Sequence, residues 1–170
     1  MTPAALSREL RRGAGLSLRR RRRIAGLALT AMGSLGIITL YQMGLIAHLP
    51  DPPLPGFDAD KVHGSPAGYR HLALPDGVLG LGSYAATLAL TAAGGRERAA
   101  TRPWLPLALA AKVAFDSVQA GRLLRQEVVE VGALSAWSLI AAASTAWALP
   151  LALAEARAAL GHNPARRPAQ

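Results

Sequence analysis

The uncharged apolar stretch from residue 131 to residue 153, VGALSAWSLIAAASTAWALPLAL, constrains the fold of this chain more than any other feature. A helix of roughly 20 apolar residues crosses the hydrocarbon core of a bilayer, which is about 30 Å thick. The small residues of the stretch, mostly alanine and serine, let other helices approach closely, as is usual between helices in membranes. We therefore predict a transmembrane helix here, with Ser135 about one turn inside its start.

Three further long apolar segments predict three further spans. Apolar residues make up 51% of the chain and charged residues 17%, below the roughly 25% of charged residues in soluble domains. This pattern predicts an all-α fold: a polytopic membrane four-helix bundle with a long outer loop between helices 1 and 2. A transmembrane domain is predicted at 24–156, with spans at 24–49, 78–93, 104–124 and 131–153 and an outer loop at 50–77. Basic tails are predicted at 1–23 and 157–170, and the first of them is expected to lack fixed structure as far as Leu18.

The distribution of arginine predicts the orientation of these spans. The net charge is +9, and most arginines lie in the two tails and in the loop 94–102, as is typical of cytoplasmic segments. Both termini are therefore predicted to be cytoplasmic. No zinc-finger spacing and no basic strand with interleaved aromatic residues is present, so nucleic acid is not an expected partner.

The five arginines at 19–23 before an apolar segment are also typical of a secretory signal peptide. The apolar core of such a signal has about 7–15 residues and ends at a small-residue cleavage site. The segment 24–49 is nearly twice that length and ends in HLPDPP. A retained first span is therefore favoured over a cleaved signal.

Lys112 and Asp116 lie four residues apart inside the third span, so they share one helix face, with Gln119 near it. Ionisable side chains inside a membrane are unfavourable unless paired, and they indicate a functional site. The alternative is that the two side chains only neutralise each other between helices. The sequence favours this pairing but leaves a functional role open.

The absence of cysteine excludes disulfides, thiolate nucleophiles and cysteine-ligated metals. The histidines have no helical pair spacing, so structural or surface roles are predicted for them, and no metal site. No nucleophile elbow, glycine-rich phosphate loop or HExxH motif is present, so a hydrolase of the soluble type is not expected. The four histidines are His48, His63, His71 and His162.

Ser135 and Ser138 have the spacing of a CxxC pair, with oxygen in place of sulfur, and Trp137 lies between them. They fall at the predicted outer mouth of the last span, before a run of small residues. This segment resembles the CxWC-type helix of the vitamin K epoxide reductase family.

The outer loop adds to the resemblance. Val62-x-x-Ser65 is followed by LPDGVLG at 74–80 and then by Tyr84. These residues are similar to the family's Cys-x-x-Val-x-x-Ser pattern and its GIP-x-x-LG-x-x-x-Tyr-like entry to the second span. The resemblance extends over residues 24–155.

The resemblance implies that four core helices hold a quinone near the outer surface. In that family the CxxC pair reduces the quinone, and a loop cysteine pair receives electrons from thioredoxin-like partners. By position, the CxxC falls on Ser135 and Ser138, the second loop cysteine on Ala59 and the first near Asp51. Serine has no two-electron couple comparable with that of a dithiol, so the thiol relay is not available to this chain.

The resemblance also implies a set of ligand-binding candidates at the outer ends of the spans. Asp76, at the mouth of the second span, is expected both to contact the ligand and to cap the helix that follows it. The candidates are Asp76, Tyr84, Ser135, Trp137 and Ser138.

Three hypotheses about function follow from these patterns. We favour a redox-inactive member of the family, in a membrane of the bacterial inner-membrane type, with a pocket for a quinone or lipid-like ligand at the outer face. This hypothesis predicts that the ligand-binding candidates surround one cavity. A small transporter using Lys112, Asp116 and Gln119 instead predicts a polar track to the cytoplasmic face. A membrane protein that docks a thioredoxin-like or other partner predicts an apolar patch on the outer loop.

Overall fold

The structure, a computed structural model, describes residues 2–69 and 74–161, apart from the side chain of Ala67. Within these ranges the chain is all-helical, as the sequence predicted, and has no strand; one parallel bridge joins Phe57 and Leu134. The α-helices are α1 (Pro3–Arg12), α2 (Leu16–Gln42), α3 (Ala59–His63), α4 (Asp76–Ala92), α5 (Arg98–Thr101), α6 (Trp104–Gln126) and α7 (Ala136–Gly161), with a 3-10 turn at Pro66–Tyr69 and a π turn at Glu127–Val131.

The four long helices, α2, α4, α6 and α7, pack side by side. Helix α7 lies along both α2 and α6, and α4 lies along α2, whereas α4 and α6 touch each other less. Their shared apolar core includes Ile24, Leu109, Val113 and Ala152, each almost inaccessible to solvent. Small side chains such as Ala31 lie at these contacts and permit close packing of the helices.

Helices α2 and α4 run in opposite directions, which distinguishes two ends of the helix group. Arg21, near the start of α2, donates to the Thr91 carbonyl oxygen at the end of α4, at 2.7 Å. Gln42, at the end of α2, donates to the Asp76 carboxylate at the start of α4, also at 2.7 Å. We call the first end the basic end, and the second, where residues 43–69 lie, the loop end.

Large apolar side chains cover much of the outer surface of the long helices. Leu29, Phe115 and Trp147 are 58%, 60% and 73% exposed, although large exposed apolar areas are rare on soluble monomers. By length and composition two of the described helices, α2 and α7, can cross a membrane. An apolar exterior around buried polar groups is the arrangement expected when lipid surrounds the helices.

Two buried arginines close the basic end. Arg98, 1% exposed, donates two hydrogen bonds of 2.8 and 2.7 Å to the Glu155 carboxylate of α7. It also donates to the Leu90 and Ala93 carbonyl oxygens at 2.6 and 2.8 Å. The last carbonyls of a helix have no partner within the helix, so the two arginines cap α4. Arg21 donates to the carbonyl oxygens of Thr91, Ala93, Gly94 and Gly95.

The amino-terminal segment is folded, so the prediction of a tail without fixed structure is wrong. Thr2 caps α1, with Pro3 as its first residue, and both are recognisable helix-start residues. Helix α2 already begins at Leu16, so the five arginines are helical and Leu18 is buried. The Arg22 side chain ties α1 to α2 by donating to two backbone carbonyls near the end of α1.

The predicted position of Ser135 inside the last helix is also wrong. The π turn ends at Gly132, whose φ of 71° lies in the left-handed region that glycine adopts readily. Helix α7 begins only at Ala136 and continues to Gly161. Ser135 therefore precedes the helix, whereas Ser138 lies in its first turn.

Replacing Gly77 with alanine is expected to destabilise the fold by about 1–3 kcal/mol, the usual range for overpacking. A Cβ at Gly77 would lie 2.6 Å from the Thr39 hydroxyl oxygen and 3.2 Å from the Leu35 carbonyl oxygen, so α4 would have to move away from α2. Thermal unfolding in detergent measures the change. Gly82→Ala is the matched control, because nothing lies within 4 Å there, and it should be neutral or stabilising. Equal effects at both positions would contradict the close approach.

Candidate functional site

A cavity of about 310 Å³ lies between the four long helices near the loop end. Its walls are mainly apolar, and α3 together with the π turn contributes the wall at the loop end. The polar residues that line it form one group near α3 and a second group on α4 and α6. The lining includes Leu35, Ile38, Val62, Leu79, Phe115 and Leu123 among the apolar residues, and His63, Asp76, Ser83, Tyr84, Asp116, Gln119, Glu127 and Ser138 among the polar ones.

His63, the last residue of α3, is buried in the wall of the cavity and 3% exposed. Its Nε2 lies 3.3 Å from the Ser138 hydroxyl oxygen, and its Nδ1 has no hydrogen-bond partner among the described residues. Burial lowers the pKa of His63, although the carboxylates of Asp76 and Asp51 act in the opposite direction. The imidazole is therefore neutral near pH 7, and its Nδ1 is buried without a hydrogen-bond partner in the described part of the chain.

Glu127, at the start of the π turn, places a second buried ionisable group beside Ser138. Its carboxylate accepts the Ser135 backbone N–H at 3.2 Å, and the side chain is 7% exposed. Burial raises the pKa of Glu127, and the contacts with the Ser138 hydroxyl and the Ser135 N–H offset part of that rise. This carboxyl group therefore takes up a proton more readily than an exposed glutamate.

Asp76 does not cap α4 with its side chain, contrary to the prediction. Pro75 occupies the N-cap position, and the Asp76 carboxylate instead accepts a hydrogen bond from the Gln42 side-chain amide. The Gln42 amide oxygen accepts the Gly77 N–H at 3.2 Å. These contacts join the end of α2 to the start of α4 at the mouth of the cavity.

The second polar group of the cavity is centred on Asp116. Lys112 Nζ lies 2.7 and 2.5 Å from the two carboxylate oxygens of Asp116 and 2.7 Å from the Ser83 hydroxyl. Ser83 and Thr87 of α4 donate to the same carboxylate at 2.9 and 3.3 Å. The predicted neutralising pair is thus present in the structure, and its carboxylate also lines the cavity, as does Gln119.

Residues 50–59 of the outer loop are held against residues 134–137, and we call this contact the loop clamp. The Leu134 N–H donates to the Gly56 carbonyl oxygen at 2.8 Å, and the Asp58 N–H donates to the Leu134 carbonyl oxygen at 3.0 Å. Two backbone segments that are far apart in sequence are therefore joined by hydrogen bonds.

Side chains add three contacts to the loop clamp. One Asp51 carboxylate oxygen accepts the Ala136 N–H at 3.0 Å, and the other accepts the Ala59 N–H. The Trp137 indole N–H donates to the Pro50 carbonyl oxygen at 2.9 Å. Asp51 thus satisfies a backbone donor at the start of α7 and places a negative charge there, where the helix dipole favours it.

The cavity contains three of the five ligand-binding candidates. Asp76, Tyr84 and Ser138 line it, whereas Ser135 and Trp137 do not. Ser135 is fully buried with an unpartnered hydroxyl among the described residues, directly before α7. Trp137 lies in the loop clamp, where its indole N–H donates to the Pro50 carbonyl oxygen.

Sequence reasoning missed His63 and Glu127 as residues of the cavity. His63 was predicted to have a structural or surface role, and Glu127 lies between the predicted spans 104–124 and 131–153, outside both. The adjacency of His63 to Val62, within the Val-x-x-Ser motif, was the available signal. Nothing local marked Glu127, because its burial depends on residues from two other segments.

The other histidines are not part of the cavity. His48 lies on the surface and contacts the Asp60 carboxylate at 2.8 Å, and His71 and His162 lie outside the described residues. In the part of the chain that the structure describes, no group of three histidine or acidic side chains is arranged to hold a metal ion.

The long helices are apolar on the outside and surround a cavity that contains clustered polar groups. These features define the class of the protein, a helical integral membrane protein with an internal cavity of ligand size. The family follows from the sequence model of the vitamin K epoxide reductase family, which matches residues 22–153, and the chain belongs to this family. The resemblance inferred from the sequence is thereby confirmed, and no cysteine is present at any of its positions. Neither a curated protein nor a solved structure matches the chain.

Proposed function

We propose that this protein binds a quinone, or a similarly built lipid-like molecule, in the cavity and does so without thiol chemistry. The observation that carries the proposal is the apolar cavity with a buried, unpartnered His63 nitrogen on a residue of its wall. Small-molecule sites usually combine apolar walls with a few placed polar groups, and they usually have volumes of about 300–1,000 Å³. The cavity meets both criteria.

The chemistry of a quinone fits the residues present. Its ring is flat and apolar and would pack against side chains such as Leu79 and Phe115, while its oxygens need hydrogen bonds. His63 and Ser138 supply neutral polar groups at the loop end of the cavity. A bound quinone would be the reducible group, and this chain's own residues would only orient it and exchange protons with it.

A thiol relay does not fit the chain. The positions that correspond to the family's cysteines are Ser135 and Ser138, with Ala59 and the neighbourhood of Asp51 in the loop. Hydrogen bonds join Asp51 to Ala59 and to Ala136, the neighbour of Ser135. These contacts hold the same segments together but transfer no electrons, so the family's route for electrons is lost.

The proposed setting is a four-helix bundle in a bacterial-type inner membrane. The arginine-rich basic end would face the cytoplasm, in accord with the positive-inside rule. The outer loop and the loop clamp would then lie at the outer face, above the cavity. Transport through the protein is less favoured, because buried Arg21 and the buried Arg98–Glu155 ion pair occupy the basic end, and the one unbalanced positive charge would oppose the passage of cations.

Filling the cavity is expected to weaken quinone binding at least tenfold. Ala120 lies in the wall on α6, and Ala120→Trp would occupy the space that the ring needs. The measurement is a fluorescence titration of the purified full chain in detergent with 1,4-naphthoquinone. Ala111→Trp is the matched control, because Ala111 is exposed on the same helix, and it should leave the affinity unchanged.

Equal affinities for the two tryptophan variants would contradict binding in the cavity, and so would a wild-type protein with no saturable binding. The absence of binding would instead favour the docking of a partner protein at the outer loop. Met43, Leu45 and Leu54 are 61%, 71% and 58% exposed there, and such apolar side chains would form the contact.

A further inference from the structure

Arginine is concentrated at the basic end of the protein. Twelve arginines and only three glutamates lie in the described ranges that form this end, 2–23, 94–102 and 155–161. Two of the glutamates are already bound within the protein: Glu155 pairs with buried Arg98, and the Glu9 carboxylate accepts the Arg96 backbone N–H at 2.7 Å. The basic end therefore carries a large positive charge that its own acidic residues do not balance.

Helix α1 is fixed at the basic end and adds its arginines to those of α2. Arg22 of α2 donates to the Leu10 and Gly13 carbonyl oxygens at the end of α1, each at 2.8 Å, and Glu9 joins α1 to the segment before α5. The two leucines of α1 are half-buried, whereas its arginines are exposed. The helix therefore presents a basic side outward, and the exposed arginines of α1 are Arg8, Arg11 and Arg12.

Two exposed arginines at the start of α2 continue into a side of this helix that the described part of the chain leaves uncovered. Residues 19, 23, 26, 30 and 33 follow one another at spacings of three or four, so they lie on one side of the helix. All five are exposed, and a Cβ at position 26 or 33 would have nothing within 4 Å. We call this side the outer face of α2, and it consists of Arg19, Arg23, Gly26, Thr30 and Gly33.

The length of the outer face matches one leaflet of a bilayer. The ten residues from Arg23 to Gly33 extend over about 15 Å at about 1.5 Å per residue. This is half of the hydrocarbon thickness of about 30 Å. The outer face therefore begins with positive charge and continues for the length of one leaflet's acyl chains.

We propose that the outer face of α2 binds an anionic phospholipid from the leaflet at the basic end, with the phosphate group on Arg19 and Arg23 and one acyl chain along Gly26 and Gly33. A guanidinium group presents paired N–H donors that match a phosphate. Neither guanidinium has a hydrogen-bond or ion-pair partner within the part of the chain that the structure describes, so both are available to a headgroup. The site lies at the opposite end of the protein from the loop end and does not depend on the proposed quinone binding.

Exposed apolar side chains at the same end favour a lipid over a partner dissolved in water. Leu16, in the first turn of α2, is 62% exposed, and Trp104, the first residue of α6, is 60% exposed. Tryptophan is enriched where a membrane meets water, and leucine beside arginine suits the boundary between headgroups and acyl chains. The arginines at 19–23 also repel one another and the positive end of the helix dipole, and the first turn of α2 contains no acidic residue. A lipid phosphate would relieve this repulsion.

The test measures how strongly the purified full chain in detergent prefers phosphatidylglycerol to phosphatidylcholine. Phosphatidylglycerol with a pyrene label on one acyl chain is added, and energy transfer from tryptophan to pyrene reports its binding. Trp104 supplies a donor at the basic end. Unlabelled phosphatidylglycerol should displace the label at least tenfold more effectively than phosphatidylcholine, since both have acyl chains but only the first has a net negative charge.

Arg19→Gln with Arg23→Gln should lower this preference at least tenfold, because each arginine close to an anionic headgroup contributes a factor of about five. Arg96→Gln with Arg157→Gln is the matched control, since it removes two exposed arginines that lie at the same end but on other segments. This control should change the preference by about twofold at most. Arg19→Lys with Arg23→Lys keeps both charges and should retain most of the preference, which separates the loss of charge from a loss of folding.

The outcomes separate a lipid site from other causes of binding. Equal displacement by the two lipids in the wild type would overturn the proposal. Equal losses in the two glutamine double variants would also overturn it, because the charge of the whole end would then attract the lipid without the outer face of α2. Displacement of the label by inorganic phosphate or by a short DNA duplex, at the concentration at which phosphatidylglycerol acts, would indicate a phosphate site open to water and would overturn the lipid site. Binding of 1,4-naphthoquinone should be the same in Arg19→Gln with Arg23→Gln as in the wild type, so this proposal and the proposed function fail separately.

Discussion

Arg98→Ala is expected to destabilise the protein by about 3–5 kcal/mol, the usual loss when one partner of a buried ion pair is removed. The substitution would leave the Glu155 carboxylate, 2% exposed, without the guanidinium that binds both of its oxygens. It would also remove the donor to the Leu90 and Ala93 carbonyl oxygens at the end of α4. Thermal or denaturant unfolding of the purified protein in detergent measures the loss.

Arg96→Ala is the matched control for this prediction. The Arg96 side chain is 60% exposed and pairs at 3.4 Å with an equally exposed Glu97, and such surface pairs contribute about 0–1 kcal/mol. A double variant, Arg98→Met with Glu155→Leu, should recover part of the stability, because it leaves no buried charge unpaired. Similar losses for Arg98→Ala and Arg96→Ala would mean that the basic end is not closed by the buried pair.

Asp51→Ala is expected to open the loop clamp and to destabilise the protein by about 3 kcal/mol. Each of its carboxylate oxygens accepts a backbone N–H, from Ala59 and from Ala136, and hydrogen bonds to a charged group contribute about 1.5–3 kcal/mol each. Both donors would lose their partner together. Hydrogen exchange of residues 50–59 should accelerate strongly, and the unfolding temperature should fall.

Asp58→Ala is the comparison for the clamp, since it removes an aspartate from the same loop. The Asp58 side chain caps α3 through the Lys61 N–H at 2.9 Å, and the loss of such a cap costs about 1 kcal/mol. The contact of Asp58 with the clamp is made by its backbone N–H, which the substitution retains. Asp51→Asn should lie between the two, because its amide retains one acceptor oxygen. Unchanged exchange in residues 50–59 of Asp51→Ala would show that the backbone contacts alone hold the clamp.

The loop clamp holds the outer loop to the start of α7 without any cysteine. Asp51 and Ala59 contact each other and lie against the start of α7, and by the correspondence proposed above they occupy thiol positions of the family. A carboxylate with two backbone donors makes a contact that is permanent and independent of redox conditions.

The helices and the family could be predicted from the sequence, because both depend on local properties. A long run of apolar residues forms a helix in lipid whatever its neighbours are, and the motifs around Ser138 and Val62 are contiguous in the chain. The amino-terminal helix was missed although its cap was readable, because the glycines and arginines suggested a loose segment. The start of α7 was missed because a left-handed Gly132 and a π turn delay it.

The full set of residues that line the cavity could not be predicted, because it depends on which distant segments of the chain meet. His63 and Ser138 are 75 residues apart in the chain, so no local pattern shows that the two side chains meet. The sequence by itself determined that this is a helical membrane protein of its family without thiol chemistry, since residue type and apolar length alone fix those properties. Only the tertiary structure decided that His63, Ser138 and Glu127 share one cavity and that Asp51 joins the outer loop to the start of α7. Burial and hydrogen-bond partners arise from packing between segments and not from the order of residues within them.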